Sequence, residues 1–257
     1  MNRILLIILS FICYTCVLAQ PNREDKQQKL ARIYYEAENA LDRKDYSTAL
    51  SLFEKAYKAG DVWNSPCALG LMYANGDGVD INMREAYKWY IIAAENGNPN
   101  AQYNLSIMYY LGTGVEKDLK RSFIWCLKAA NNGVVPAMQN LQVAYAKGEG
   151  TEVNIEESFK WCKKAADNGD VESQFNLAVR YIKGLGCAFD DKEAERWMQK
   201  AADGGHPDAQ FYVGLMYESG TSTILANTQK ALEWYKKAAS QGHGEAAVKV
   251  QKLSNRK

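Results

Sequence analysis

The chain has 257 residues, enough for one large domain or an array of repeats. Its apolar and charged fractions, 47% and 24%, are ordinary for a folded soluble protein. It carries 31 Lys and Arg against 30 Asp and Glu, and loss of Arg3 with a leader would make them equal. That balance argues against a dedicated nucleic-acid or anionic-membrane binder.

The first segment reads as a secretory signal. Arg3 supplies the positive start, residues 4–17 are mostly apolar, and Val17-Leu18-Ala19 places small or β-branched side chains at the cleavage positions. The apolar run is shorter than the ~20 residues a membrane span needs. The expectation is cleavage after Ala19, with residues 1–19 as signal peptide and no integral membrane segment afterwards. The expected destination is secreted or periplasmic. Cys13 and Cys16 leave with the signal, and neither is preceded by the small residue a lipid-anchoring site uses.

Residues 20–61 then predict a helix pair. Its first helix covers residues 24–41. Asp45 is the N-cap of the second, Leu52-Phe53 and Ala56 lie on its inner face, and Gly60 ends it.

From residue 62 to 243 the sequence repeats itself. Trp89, Trp125, Trp161, Trp197 and Trp234 follow one another at intervals of 36, 36, 36 and 37 residues. An Ala pair follows each Trp at a fixed offset (Ala165-Ala166, for example), and then a Gly (Gly169). Each unit predicts two helices. Helix A carries a Leu or Val (Leu69, Leu105, Leu141, Leu177, Val213) with a Tyr four residues on, so both share one helical face. A Gly-x-Gly turn follows in four units, and Gly220-Thr221-Ser222 replaces it in the fifth. Helix B starts from Asn82, Asp118, Asn154, Asp190 or Asn227, each able to bond the first free amides of a helix. Residues 244–257 predict a capping helix and tail, with Ala246, Ala247, Val250 and Leu253 at helical spacing.

Stretches such as "AQYNLSIMYYLGTGVEKDLKRSFIWCLKAANNG" resemble the Sel-one-like repeat (SLR), a relative of the tetratricopeptide repeat. "LDRKDYSTALSLFEKAYKAGD" is more similar to a tetratricopeptide unit. The resemblance implies an all-α fold, a right-handed α-solenoid (superhelix) of antiparallel helix–turn–helix repeats. It also implies a scaffold or adaptor for a protein or peptide partner, without catalysis and with no cofactor or metal. A cysteine-rich secreted branch of the family pairs two Cys about eight residues apart, and a β-lactamase-like activity has been suggested for it. Here Cys67 stands at one such position, but Ala59 stands at the other. A cell-envelope enzyme of that kind is the competing expectation, and an assembly factor acting through the helix-B face is a third.

By analogy with tetratricopeptide arrays, the partner would meet the concave helix-A face. The positions two before, two after and five after the motif Leu or Val give Tyr103, Ile107, Tyr110, Gln139, Val143, Phe175, Val179, Phe211 and Leu215. The row is apolar and aromatic, although such side chains also fit ordinary packing between neighbouring helices. His206 and His243 each follow a unit-closing Gly and read as solvated turn residues, too far apart to share a metal. Cys126 and Cys162 hold the same place in adjacent units. At a spacing of roughly 10 Å they are beyond disulfide reach, and they read as buried thiols. Cys187 replaces the Val of a Gly-x-Gly-Val turn and reads as packed. The Asn104-Leu105-Ser106 sequon lies inside a predicted helix and reads as chance.

Overall fold

A computed structural model describes residues 21–255, with side chains described from residue 27. The proposed leader, its cleavage position at Ala19, and Cys13 and Cys16 lie outside the described residues. Among the described residues there are thirteen helices and no strand. The fold is an α-solenoid of antiparallel helix–turn–helix repeats. No described helix is long and apolar enough to cross a membrane.

The chain divides into two compact units between Lys117 and Asp118. The first contains α1 (Pro21–Asp42), α2 (Tyr46–Lys58), α3 (Ser65–Asn75), α4 (Met83–Glu95) and α5 (Pro99–Leu111). Its N-terminal core gathers Ala37, Ala40, Ala49, Phe53, Leu69 and Met72. The second contains α6 (Leu119–Asn131), α7 (Val135–Lys147), α8 (Ile155–Asp167), α9 (Val171–Lys183), α10 (Asp191–Asp203), α11 (Pro207–Ser219), α12 (Thr228–Ser240) and α13 (Gly244–Ser254). One of its cores is built on Cys162, Leu177, Trp197, Met198 and Val213. Another surrounds Phe211, Tyr235 and Leu253.

The local signals act as their chemistry requires. Asp45, Asn82, Asp118, Asn154, Asp190 and Asn227 each accept a backbone amide from the first turn of the helix they precede. This satisfies donors that have no intrahelical partner. At the other end of helix B, a buried or half-buried Gln from the next helix A takes over. Gln102, Gln174 and Gln210 donate through Nε2 to the carbonyls of Ala94, Ala166 and Ala202, at 3.2–3.3 Å. The Ala pair keeps that approach short, and its methyls are almost wholly buried in α8 and α10.

The motif Tyr of helix A meets an aromatic ring of helix B edge-on. Tyr87 pairs with Tyr109, Phe123 with Tyr145 and Phe159 with Tyr181, with centroids 5.2–5.9 Å apart and planes near 90°. Such T-shaped pairs add roughly 0.5–1.5 kcal/mol beyond buried area.

The Gly-x-Gly turn does two jobs. Its first glycine ends helix A in the left-handed region, as at Gly148 (φ 74°). Its second lies against the preceding repeat. A Cβ on Gly150 would stand 2.0 Å from the carbonyl oxygen of Leu119, and one on Gly186 2.3 Å from that of Ile155. These glycines are needed for close backbone approach as well as for the turn itself.

Candidate functional site

The helix-A row splits into two kinds of position. The residues two before the motif Leu or Val in the second unit join successive A helices. Gln139 of α7 donates to Asp170 Oδ1 at 2.9 Å, and that same oxygen caps α9 through Ser173 N at 2.7 Å. Phe175 of α9 stacks on His206, 4.3 Å between centroids with an interplanar angle of 16°. Phe211 of α11 stacks on His243, 4.5 Å apart at 24°. Phe211 is buried, at 7% exposure, while Gln139 and Phe175 are half-buried. Tyr103, at the same position in the first unit, is half-buried too.

The two histidines differ from the sequence expectation. They are not solvated turn residues, since their side chains are only 11% and 15% exposed. Each imidazole caps the helix that follows it. His206 Nδ1 accepts the amide of Ala209 at 3.3 Å, and His243 Nδ1 accepts that of Ala246 at 3.2 Å. An accepting Nδ1 puts the ring proton on Nε2. That nitrogen faces Glu172 Oε2 at 3.1 Å in His206 and Asp208 Oδ1 at 3.4 Å in His243. The turn location misled the reading, because an aromatic ring one repeat upstream shelters each imidazole.

The positions two and five after the motif residue remain more open. Val143 is 39% exposed and Tyr110 is 42% exposed. Ile107, Val179 and Leu215 are half-buried. Lys117 Nζ sits 5.6 Å from the Tyr110 ring centroid, leaving the rest of that ring accessible. Further apolar side chains on A helices are exposed, among them Ile182 of α9 at 42% and Tyr212 of α11 at 44%. The sequence reading missed both. Ile182 lies five after Leu177, the position that gave Tyr110, so the spacing rule already contained it. Tyr212 lies one before Val213, where the earlier repeats have Asn104, Asn140 and Asn176.

Burial displaces the protonation equilibria of several core groups. Burial pushes the Cys162 thiol up to about 11 despite the neighbouring Arg180 guanidinium, and the Cys67 thiol up to about 11 as well. Burial likewise raises Tyr90, and it raises Tyr235 together with the Glu218 carboxylate. Cys67, Cys126, Cys162 and Cys187 are free thiols. Cys126 and Cys162 are buried, each pointing its sulfur at a backbone carbonyl. Among the described residues, no group of three or more His, Cys, Asp or Glu could hold a metal ion.

The repeat architecture and its spacing match a known family. A protein-family model described as "Sel1 repeat" matches residues 27–61, 67–98, 99–134, 136–170, 171–206 and 207–243. The chain belongs to the Sel1 repeat family. Its six Sel1 repeats include the first helix pair, at residues 27–61. Among solved structures, a Sel1 repeat protein from Oxalobacter formigenes is similar at 33% identity and a TM-score of 0.69, over 83% of this chain and 86% of that one. The protective antigen c5321 of uropathogenic Escherichia coli, which displays an SLR fold, is similar at 27% identity and a TM-score of 0.63. That match covers 90% of this chain and 58% of that one. No curated protein matches the chain.

Sel1 repeats are scaffold modules related to tetratricopeptide repeats and typically serve protein binding. In this Sel1 chain the helix-A row therefore has a double use. In three repeats one position holds neighbouring A helices together, and the positions beyond it leave apolar side chains more open.

Proposed function

We propose that the chain is an exported scaffold, without catalysis, that holds an extended segment of a protein partner along its concave helix-A face. The observation that carries this reading is the recurrence of apolar side chains at one position of three successive A helices, Val143, Val179 and Leu215. Neighbouring helices lie about 10 Å apart, which an extended chain covers in about three residues. One partner side chain in three would then meet each repeat. Affinity would come from apolar burial, at about 25 cal/mol per Å², and from the exposed ring of Tyr212 as an anchor.

The test is capture of partner from the native cell-envelope fraction by the chain beginning at Gln20, beside Val143→Asp and Tyr212→Asp. Both side chains are exposed, so the variants are expected to keep the helical signal and melting temperature of the parent. The reading predicts at least a tenfold loss of affinity for the captured partner. Unchanged capture by folded variants would overturn it. Export has its own test, N-terminal sequencing of the protein from the native host. A mature terminus at Gln20 supports the reading, and a retained Met1 refutes it.

A further inference from the structure

We propose that His206 and His243 make the starts of α11 and α13 a pH-responsive pair of hinges, a property separate from partner binding. Each imidazole performs the same three tasks. Its Nδ1 accepts a first-turn amide, its Nε2 meets a carboxylate of the preceding A helix, and its face lies on a Phe of that helix. The cap exists only while Nδ1 keeps its lone pair. Protonation turns that nitrogen into a donor facing another donor, at the positive end of a helix.

A carboxylate faces Nε2 of each ring. His206 faces Glu172 on α9 at 3.1 Å. Asp203 closes α10 three residues before it, and Asp208 follows in the first turn of α11. His243 faces Asp208 on α11 at 3.4 Å, with Glu245 in the first turn of α13. The one cation in the last turn of α12, Lys237, is occupied over the ring of Trp234, 3.7 Å from its centroid. The carboxylates therefore hold the protonated ring at Nε2, and stacking retains it on Phe175 or Phe211. What gives way is the capped amide. The result is opening of the first turn of α11 and α13 with the rest of each repeat in place.

The same chain supplies the control. Asn98 caps α5 at the equivalent position, accepting the amide of Ala101 at 3.0 Å, and it does not titrate. The experiment is amide hydrogen exchange by NMR on the chain from Gln20 and on its His206→Asn/His243→Asn variant, followed through the imidazole titration. Expressed as protection factors, Ala209 and Ala246 in the parent should lose about fivefold as the rings protonate, the equivalent of one lost N-cap. Ala101 should not change. In the Asn variant all three should be insensitive to pH. Constant protection of Ala209 and Ala246 in the parent overturns the proposal, and so does an equal loss in the Asn variant. A 15N spectrum of the imidazoles at high pH provides a second check. It should show the proton on Nε2 in both rings, and a proton on Nδ1 would refute the cap itself.

Discussion

The tight turns at Gly148–Gly150 and Gly184–Gly186 and the turn that begins at Gly220 connect the same pair of helices in different repeats, by different means. In the tight turns the second glycine presses its backbone onto a carbonyl of the preceding repeat, Leu119 for Gly150 and Ile155 for Gly186. At that position the last repeat has Ser222, and the loop carries one more residue. It is held by its own hydrogen bonds instead. Thr221 N donates to Ile224 O at 2.8 Å, Thr221 Oγ1 accepts from Ile224 N, and Thr223 Oγ1 meets the Glu195 carboxylate. Leu225 is left 90% exposed. The amide of the next N-cap still bonds the motif Tyr carbonyl in both designs, Asn154 to Tyr145 at 2.8 Å and Asn227 to Tyr217 at 2.7 Å. Closing the turn and locking it to the previous repeat are therefore separable tasks: all three turns close on a glycine of positive φ, and the lock requires a second one.

The largest expected effect tests that separation directly. Gly150→Ala should destabilise the chain by about 2–4 kcal/mol, combining left-handed strain with a steric conflict against backbone. Ser222→Ala should stay within about 0.5 kcal/mol. Urea unfolding of both variants decides it, and equal effects would break the comparison. A junction locked without glycine should come next. At the α2–α3 connection, Asp61 accepts from the amides of Trp63, Asn64 and Ser65 and from Ser65 Oγ. Burial pushes its pKa up, but these bonds overcome it and hold the carboxyl below the usual carboxylate range. Such a group stabilises fully above its unfolded pKa of about 3.9 and loses that contribution as pH falls through the lower, folded value. Asp61→Asn should therefore cost about 2 kcal/mol near neutrality. Its deficit should vanish in acid, as a pair of pH–stability curves would show.

Smaller effects sharpen the picture. Asn154→Ala and Asn227→Ala remove the same cap behind the tight and the loose turn. Each should lower stability by about 1 kcal/mol, showing that helix B starts independently of the turn before it. Smallest is Lys164→Ala. Its ammonium lies 3.8 Å from the Trp161 ring centroid, so removal should cost about 0.5–1 kcal/mol, measurable by thermal melting.

Much of this architecture was legible in the sequence because it is periodic. The helix-B caps and the Ala pairs recur from unit to unit, the Gly-x-Gly turn recurs in all but the last, and each is satisfied locally. What the sequence concealed are contacts one repeat apart. His206 reads as a turn residue, yet Phe175 and Glu172 of the helix before it define its role. The Gln139–Asp170 bond and the Phe175–His206 and Phe211–His243 stacks occupy the same place with different chemistries, so no single residue type repeats to announce it. The candidate partner-facing row was legible as a spacing. Which of its members were free depended on those hidden pairs.

The contact between the second turn glycine and the preceding repeat also gives the second unit a direction. A repeat fastened backbone to backbone cannot leave before the one behind it has moved, whereas the last turn has only side chains and its own loop to release. Under load or heat the array should therefore peel from its C-terminal end, one helix pair at a time, like a zipper with the slider at one side.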